Sequence, residues 1–210
     1  MKIIFIGPPA SGKGTQAEML AQKYNLKLIS TGNLFRWHIK NKTELGQKVE
    51  QIMTAGDLVS DLITNEIVKE EINKIQDSFV LDGYPRNIVQ AKFLNQLIKI
   101  NLVFEIFINF EEVMRRLSGR RVCSCGATYH LIFKPPQKND FCDVCGSKLF
   151  QRDDDTEKKI KHRYQIYEKK TNPLIDFYQA QNILIKINGQ PPIPDVFKEI
   201  LNKSKKYFKL

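Results

Sequence analysis

The sequence lacks long hydrophobic runs and contains little cysteine, histidine or tryptophan. Its 210 residues include four Cys, three His and one Trp. The N-terminal apolar run, Ile3 to Ile6, is far shorter than a signal-peptide core or a membrane span, and no other stretch reaches membrane length. We therefore expect one cytoplasmic domain, with insertions and no membrane partner, in which cysteines stay reduced.

Arginine is also scarce, although the chain is strongly basic. The net charge is +10, with 33 Lys and Arg against 23 Asp and Glu. Such a charge suits a nucleic acid partner, but a lysine-rich surface is the simpler explanation and the one we favour. Arginine is the residue that binds phosphate or carboxylate with two parallel hydrogen bonds, so its few positions are informative. They are Arg36, Arg86, Arg115, Arg116, Arg120, Arg121, Arg152 and Arg163.

Five short apolar runs alternate with amphipathic helical stretches. The runs occupy residues 2–6, 28–30, 78–82, 102–108 and 183–187. The helical stretches lie near 13–24, 60–75, 87–99 and 110–120, from about 155 with a break at Pro173, and after Pro194. Runs that are apolar at consecutive positions are typical of strands buried on both faces. The alternation predicts an α/β fold around a doubly wound, parallel, five-stranded sheet.

Two segments interrupt this alternation. Residues 31–59 contain two helical patterns without a strand, and residues 122–159 contain all four cysteines. We interpret both as insertions at the ligand-binding edge of the sheet. The predicted core therefore comprises residues 1–29, 60–121 and 160–210, with insertions at 30–59 and 122–159.

A glycine-rich stretch, "GPPASGKGT" at residues 7–15, follows the first predicted strand and opens the first helix. Glycines allow backbone N–H groups to surround a phosphate, and the helix N-terminus adds a favourable dipole. Lys13 would reach the terminal phosphates. In the usual phosphate loop Ser or Thr follows this Lys directly, whereas here Gly14 precedes Thr15. The context predicts a nucleotide site.

The four cysteines form two close pairs, Cys123 with Cys125 and Cys142 with Cys145. In a reducing compartment such pairs indicate a metal more often than a disulfide, although incidental reduced cysteines are the alternative. The first pair is one residue shorter than the usual C-x-x-C. A turn at Ser124 would bring its sulfurs within the roughly 3.7 Å that a tetrahedral zinc site needs. A glycine follows each pair, which permits a tight turn.

Several motifs together resemble the adenylate kinase family. They are "GKGTQA" at 12–17, "STGNLFR" at 30–36, "LDGYPRN" at 81–87, "GRR" at 119–121 and "QRDDD" at 151–155, with Arg163 following. The resemblance extends over the whole chain. It implies a P-loop core, an inserted segment that binds a nucleoside monophosphate, and a lid. It also implies transfer of a phosphoryl group from ATP to AMP, giving two ADP, with Mg²⁺.

The resemblance also implies the site residues. The catalytic ones are Lys13, Arg86, Arg120, Arg152 and Arg163. ATP would be bound by Ala10, Ser11, Gly12, Lys13, Gly14, Thr15, Arg116, Arg120, Thr128, Tyr129 and Pro191. AMP would be bound by Thr31, Arg36, Asp57, Leu58, Val59, Gly83, Tyr84, Pro85, Arg86, Gln90, Arg152 and Arg163. Thr15 and Asp82 would hold Mg²⁺ through water.

Some assignments have a chemical reason of their own. The Gln90 amide offers a donor and an acceptor, which complement the N1/N6 edge of adenine. Asp154 and Asp155 would orient the lid arginines, and a solvated acidic turn is the alternative. Arg115 and Arg121 remain unassigned and are expected to be structural or surface residues.

By the same resemblance, the lid would hold a structural Zn²⁺ on Cys123, Cys125, Cys142 and Cys145. His130 is a conceivable substitute for Cys123. The chain departs from the family at the shortened cysteine pair, at Asn33 where Asp is frequent, and at Ala10 where Gly is commoner. Alanine fits at position 10 unless a positive φ is required there.

Two other functions remain possible from the sequence. One is a kinase for a different monophosphate, such as UMP or CMP, against which Gln90 argues. The other is a nucleic-acid-binding protein with a P-loop and a zinc ribbon. That protein would need basic residues clustered with aromatics, whereas the arginines here follow the phosphate-transfer positions. We expect a monomer whose partners are ATP, AMP and ADP.

Overall fold

A computed structural model describes residues 1–75 and 78–207 of the chain. Residues 76, 77 and 208–210, which belong to the predicted core, lie outside the described residues. A five-stranded sheet consists of β1 (Lys2–Ile6), β2 (Lys27–Ser30), β3 (Phe79–Asp82), β4 (Leu102–Phe107) and β7 (Leu184–Asn188). Its strand order is β2-β3-β1-β4-β7, and all neighbours are parallel. The predicted doubly wound parallel α/β sheet is confirmed.

The strands are apolar at consecutive positions because helices cover both faces of the sheet. Successive side chains point to opposite faces. In β1, Ile3 and Phe5 join one buried cluster, and Ile4 and Ile6 join the other. All four are at most 2% exposed. The sheet therefore lies in the middle of a three-layer core.

The α-helices follow the predicted stretches within a few residues at their ends. They are α1 (Lys13–Tyr24), α2 (Thr31–Lys40), α3 (Glu44–Ala55), α4 (Asp61–Asn73), α5 (Ile88–Leu97), α6 (Phe110–Ser118), α7 (Glu157–Ile166), α8 (Leu174–Gln179) and α9 (Ile193–Ser204). Local chemistry defines several ends. At α3, the Thr43 hydroxyl accepts from Gly46 N at 3.0 Å, and Gly56 ends the helix at φ 87°. No helix of the described residues is long and apolar enough to cross a bilayer.

The region after residue 155 differs in detail from the prediction of one long helix broken at Pro173. Helix α7 ends at Ile166 and continues as a π-helix over Tyr167–Thr171. Pro173 then directly precedes α8. The wider turn places the Thr171 hydroxyl 2.8 Å from the Arg86 carbonyl, to which it donates. A π-helix often marks a functional region, and this one ends beside Arg86.

The two segments without core strands project from the carboxyl edge of the sheet. Helices α2 and α3 pack against each other within residues 31–59. In the second segment, β5 (Arg120–Val122) and β6 (Thr128–His130) form an antiparallel pair, and a 3-10 turn covers Asp153–Asp155. We call residues 30–59 the AMP segment and residues 122–159 the lid, after the two insertions that the resemblance implies.

Candidate active site

The glycine-rich loop connects the end of β1 to the start of α1. Gly7 and Gly12 have φ of 157° and 92°. A Cβ on Gly7 would lie 2.3 Å from the Ile106 carbonyl oxygen, so this loop requires glycine where it crosses β4. The Lys13 ammonium donates to the Pro8 carbonyl at 3.0 Å and therefore lies under the loop. Desolvation lowers its pKa to about 8.

Ala10 adopts the left-handed conformation, with φ of 58°. Position 10 therefore does require a positive φ, and an alanine in the left-handed region is less stable than a glycine there by about 1 kcal/mol. The methyl group also makes a compensating contact. It packs against an apolar cluster between α6 and α7, formed by Ile108, Val113, Leu117 and Ile160. The loop is thus attached to the helix that follows the lid.

Five arginines from different elements converge above the loop: Arg36, Arg86, Arg120, Arg152 and Arg163. Desolvation and repulsion from Arg152 lower the pKa of Arg36 to about 9 and of Arg120 to about 10. The pKa values of Arg86 and Arg163 are lowered as well, first by desolvation and also by repulsion from Arg152. Such mutual repulsion at one place marks a site built for a polyanion.

Asp154 and Asp155 hold three of these arginines. Asp155 is 1% exposed and accepts from Arg120 at 2.6 and 2.7 Å and from Arg163 at 3.0 Å. Asp154 pairs with Arg152 at 2.6 Å and with Arg163 at 3.0 Å. Although burial acts to raise the pKa of Asp154, the arginines lower it below its usual value. The predicted orienting role of the two aspartates fits this geometry.

Two cavities adjoin at Arg86. The first lies between the phosphate loop and α7, and its lining includes Lys13 and Arg163. The second lies in the AMP segment, and its lining includes Thr31, Asp57, Val59 and Gln90. Leu58, Gly83 and Arg86 line both. Two ligands bound in these cavities would therefore meet next to the arginine cluster.

The carboxyl ends of β2 and β3 supply further polar groups. The Ser30 hydroxyl donates to Asp82 Oδ2 at 3.0 Å, and the Thr31 hydroxyl donates to the Gly83 carbonyl at 2.9 Å. Asp82 Oδ1 is buried without a hydrogen-bond partner among the described residues. It lies at the phosphate loop, since a Cβ on Gly14 would be 3.3 Å from Asp82 Oδ2. A carboxylate oxygen that is free at this place suits a hydrated Mg²⁺.

Fewer of the residues predicted to bind ATP than of those predicted to bind AMP line the two cavities. Arg116 donates to the Gly189 carbonyl at 2.7 Å and so reaches the loop that contains Pro191. Neither Thr128, which is exposed, nor Pro191 lines the two cavities. The Tyr129 side chain points into the lid, where its hydroxyl lies 3.5 Å from Cys142 Sγ. A contact of Tyr129 with ATP would have to come from its backbone. Tyr84 is likewise fully buried, and its hydroxyl donates to Asn65 Oδ1 at 2.7 Å.

Phe133 is an aromatic residue of this region that the sequence reasoning missed. Its ring lies 4.7 Å from the Arg115 guanidinium carbon and 5.7 Å from that of Arg116. Arg115 and Arg116 both pair with Glu112. A single aromatic residue in a lid loop carries no sequence signal for this stacking.

The four cysteines lie together in the lid. Their ligand atoms are all within 4.8 Å of one another, with 3.4 Å between the Cys123 and Cys145 sulfurs and 3.6 Å between those of Cys125 and Cys142. Zn–S bonds of about 2.3 Å in a tetrahedron give a sulfur separation of roughly 3.7 Å. The donor set and its spacing therefore fit a structural Zn²⁺. A hydrogen bond with the Tyr129 hydroxyl lowers the pKa of Cys142 to about 6, which favours the thiolate that binds metal.

The shortened pair turns at Ser124, as the spacing predicts. Gly126 N donates to the Cys123 carbonyl at 2.9 Å, and Gly126 has φ of 97°. His130 is not part of the cluster. Its Nδ1 accepts from the backbone N–H groups of Ile132 and Phe133 at 3.0 and 3.2 Å. The structure thus gives His130 a role in the lid turn.

The lid side and the AMP segment touch directly. The Lys40 ammonium donates to the Ser124 carbonyl at 3.0 Å, and His162 Nε2 lies 2.6 Å from Asp57 Oδ1. Arg163 packs against Gly56, where a Cβ would be 2.9 Å from its side chain. The AMP segment thus contacts the lid at Ser124 and α7 at His162 and Arg163.

Comparison with known proteins gives one consistent result. The family model described as adenylate kinase matches residues 5–183. The chain is 46% identical to the adenylate kinase of Methanothrix thermoacetophila over 95% of this chain and 96% of the relative. It is 45% identical to that of Caldicellulosiruptor bescii, over 96% and 97%. It is 43% identical to that of Archaeoglobus fulgidus, over 95% and 96%.

Proposed function

The chain belongs to the adenylate kinase family, and we propose that its two adjoining cavities bind ATP and AMP with their phosphate chains end to end. The enzyme transfers the terminal phosphoryl group of ATP to AMP, which gives two ADP. The proposal rests on Arg86, which lines both cavities, and on Lys13 and Arg163, which line the first. The other arginines of the group lie close enough to repel them electrostatically. Two phosphate chains brought together where the cavities meet would neutralise the positive charges and remove their mutual repulsion.

The reaction needs positioning and charge stabilisation more than covalent help from the protein. An oxygen of the AMP phosphate attacks the γ-phosphorus of ATP. The bond from that phosphorus to the bridging oxygen breaks, and ADP leaves with the electron pair. The AMP phosphate is already an anion, so no general base is required.

Each cation has a proposed place in this reaction. Arg36 and Arg86 hold the AMP phosphate, while Lys13, Arg116 and Arg120 hold the phosphates of ATP. Arg152 and Arg163, which Asp154 and Asp155 orient, stabilise the charge that develops on the transferred group. Residues 30–59 and 122–159 close over the core to exclude water, which would otherwise hydrolyse ATP; the adenylate kinase lid is itself a standard example of such gating.

Mg²⁺ bound with ATP would neutralise part of the phosphate charge. Asp82, with its free carboxylate oxygen, and Thr15 would hold it through water. The lid cysteines Cys123, Cys125, Cys142 and Cys145 would hold Zn²⁺ in a structural role, because four thiolates leave no open coordination position.

The cellular setting is part of the same proposal. The enzyme acts as a cytoplasmic monomer on free nucleotides, without a nucleic acid or membrane partner. The arginines support this view, since Arg86 and Arg163 line the cavities. Arg36, Arg120 and Arg152 lie close enough to these two for electrostatic repulsion. Binding of DNA or RNA that is tighter than nucleotide binding and falls with salt would contradict it.

The test of the proposed activity is a coupled assay of ADP formation with AMP, CMP, UMP and GMP in turn. AMP should be the best acceptor. The variant R86K should lower kcat by about 10²–10³, because it removes a bidentate donor to charge that develops in the transition state.

R121K is the matched control for R86K. Among the described residues, the Arg121 guanidinium donates to the backbone carbonyls of Ser118 and Arg120 and to no other group, so lysine should leave kcat unchanged. If CMP or UMP proves a better acceptor than AMP, the proposed acceptor is wrong. If R86K and R121K have equal activity, the proposed role of Arg86 is wrong.

A further inference from the structure

We propose that Asp61 and the backbone N–H of Arg86 fix the direction of the Gln90 side-chain amide, and that this fixed amide makes the monophosphate site select adenine over guanine and hypoxanthine. The inference rests on the proposed function, since it concerns the base of the monophosphate. It assigns a positioning role to Asp61, a residue for which the sequence carried no functional signal.

The contacts of Gln90 leave its amide one orientation. Gln90 lines the AMP cavity, and its side chain is almost completely buried. Its Oε1 accepts from Arg86 N at 2.7 Å, and its Nε2 donates to Asp61 Oδ1 at 2.7 Å. Both ends of the amide are therefore held by the protein.

The chemistry of these two partners makes the orientation unambiguous. A carboxylate only accepts hydrogen bonds, and a backbone N–H only donates one. If the amide turned over, Oε1 would face the carboxylate of Asp61 and Nε2 would face the N–H of Arg86. Two buried contacts would then be lost and two like dipoles opposed, which is costly away from water.

Asn87 holds Asp61 in place. Its Nδ2 donates to Asp61 Oδ1 at 2.7 Å, while its Oδ1 caps α5 by accepting from Gln90 N at 2.9 Å. Asp61 is the first residue of α4, where a carboxylate also interacts favourably with the helix dipole. The starts of α4 and α5 are thus tied together around the amide.

The fixed amide still has one free site at each end. Oε1 has a second lone pair, and Nε2 has a second hydrogen. In this orientation Oε1 can accept a hydrogen bond from the N6 amino group of adenine, and Nε2 can donate one to N1. Guanine and hypoxanthine show O6 and N1–H, the reverse order, so donor would meet donor and acceptor would meet acceptor. Cytosine shows the same order as adenine and would have to be excluded by size.

The test compares two substitutions of Asp61 that differ in hydrogen bonding. D61L removes the acceptor, whereas D61N keeps an acceptor oxygen of the same size. The measured quantity is the ratio of kcat/KM for AMP to that for GMP, repeated with IMP. We expect D61L to lower this ratio about tenfold or more, as for the loss of one buried hydrogen bond. D61N should stay within about threefold of the starting protein, and KM for ATP should not change in either variant.

D195L is the control for the loss of a helix-start carboxylate. Asp195 lies in the first turn of α9 and is exposed, far from the two cavities along the chain. The AMP:GMP ratio should be the same in D195L as in the starting protein. A merely structural role of Asp61 would lower kcat/KM for AMP and GMP alike and leave their ratio unchanged, which would overturn the proposal.

The AMP:GMP ratio of the starting protein distinguishes failure of the proposed function from failure of the proposed role of Asp61. If the starting protein shows no preference for AMP over GMP, the proposed acceptor is wrong, whatever Asp61 does. If it shows the preference and Q90L abolishes it while D61L keeps it, Gln90 reads the base but Asp61 does not orient it.

A measurement without substitution of Asp61 covers the case in which D61L fails to fold. The two Gln90 side-chain amide protons can be followed by NMR in ¹⁵N-labelled protein, assigned by their loss in Q90L. On addition of AMP, the Gln90 amide proton that is hydrogen-bonded to Asp61 should keep its chemical shift, and the chemical shift of the other amide proton should change. Equal movement of both protons, or movement of neither, would overturn the proposal.

Discussion

The sheet core and the lid are held together in different ways. Apolar side chains cover both faces of the sheet, in two clusters that include Phe79, Leu81 and Phe104. The buried cluster of the lid consists only of Cys123, Tyr129, Cys142 and Leu149, and two of these are proposed metal ligands. Burial of one large apolar side chain contributes about 1.5–3 kcal/mol. The core therefore has ample burial, and the lid has almost none.

This difference explains why cysteine is confined to the lid. A segment of fewer than forty residues cannot bury enough apolar surface to fold alone, and a metal is one of the usual remedies. The lid also exposes Ile132 and Val144, which add no burial. We infer that the lid depends on its cysteines and that the core does not.

Removal of the proposed Zn²⁺ should give the largest effect. Structural zinc contributes on the order of 10–16 kcal/mol to small zinc domains at neutral pH. We expect a chelator, or C142S, to make the lid susceptible to proteolysis and abolish activity, while the circular dichroism of the core persists. If chelation leaves the melting temperature and proteolysis unchanged and elemental analysis finds no metal, the lid is held in another way.

A cavity in the core should give the next largest effect. Phe104 lies in β4, completely buried, and F104A should lower the free energy of unfolding by about 3–5 kcal/mol in urea titration. L149A, the matched change in the lid, should alter the unfolding of the core by less than about 1 kcal/mol. Equal losses would mean that core and lid unfold as one unit.

The pH dependence of ATP binding should differ between a cation of the core, Lys13, and a cation at the base of the lid, Arg120. Desolvation lowers the pKa of Lys13 to about 8, whereas that of Arg120 at the base of the lid is lowered only to about 10. Above pH 8 the free protein loses the Lys13 proton and must regain it to bind phosphate. ATP affinity should therefore fall by up to tenfold per pH unit above about 8, or about 1.4 kcal/mol. Calorimetric titration of K13R over pH 7–9.5 should show no such fall.

The smallest effect concerns Ala10 in the phosphate loop. Glycine would remove the left-handed strain but increase the entropy of the unfolded chain, so A10G should raise the free energy of unfolding by about 0.5 kcal/mol. The control A55G, in α3 with a helical backbone, should lower it by about 1 kcal/mol. If A10G is less stable than the starting protein, the contact of the methyl group with α6 and α7 outweighs the strain.

The core was predictable because its signals are local. Each strand of the sheet lies within one residue of a predicted run, since apolar residues at consecutive positions report burial on both faces. The turn at Ser124 followed from a distance requirement of the metal. Both inferences need only neighbouring residues and a rule of geometry.

The missing parts depend on contacts between distant residues. The hydrogen-bond partners of the Gln90 amide are Asp61 at the start of α4 and the backbone N–H of Arg86, and no local sequence pattern predicts them. The stacking of Phe133 on Arg115 depends on how the lid folds over α6. The π-helix at residues 167–171 ends at Thr171, whose hydroxyl donates to the carbonyl of Arg86, a residue 85 positions away in the sequence.

The strand order has a consequence for synthesis of the chain on the ribosome. The central strand β1 is made first, but its neighbour β4 can pair with β7 only after residue 188 has emerged. At about 5–20 residues per second this takes roughly 10–40 s. All four cysteines precede that point, so the part of the nascent chain that forms the cysteine cluster has been synthesised before the sheet can be completed.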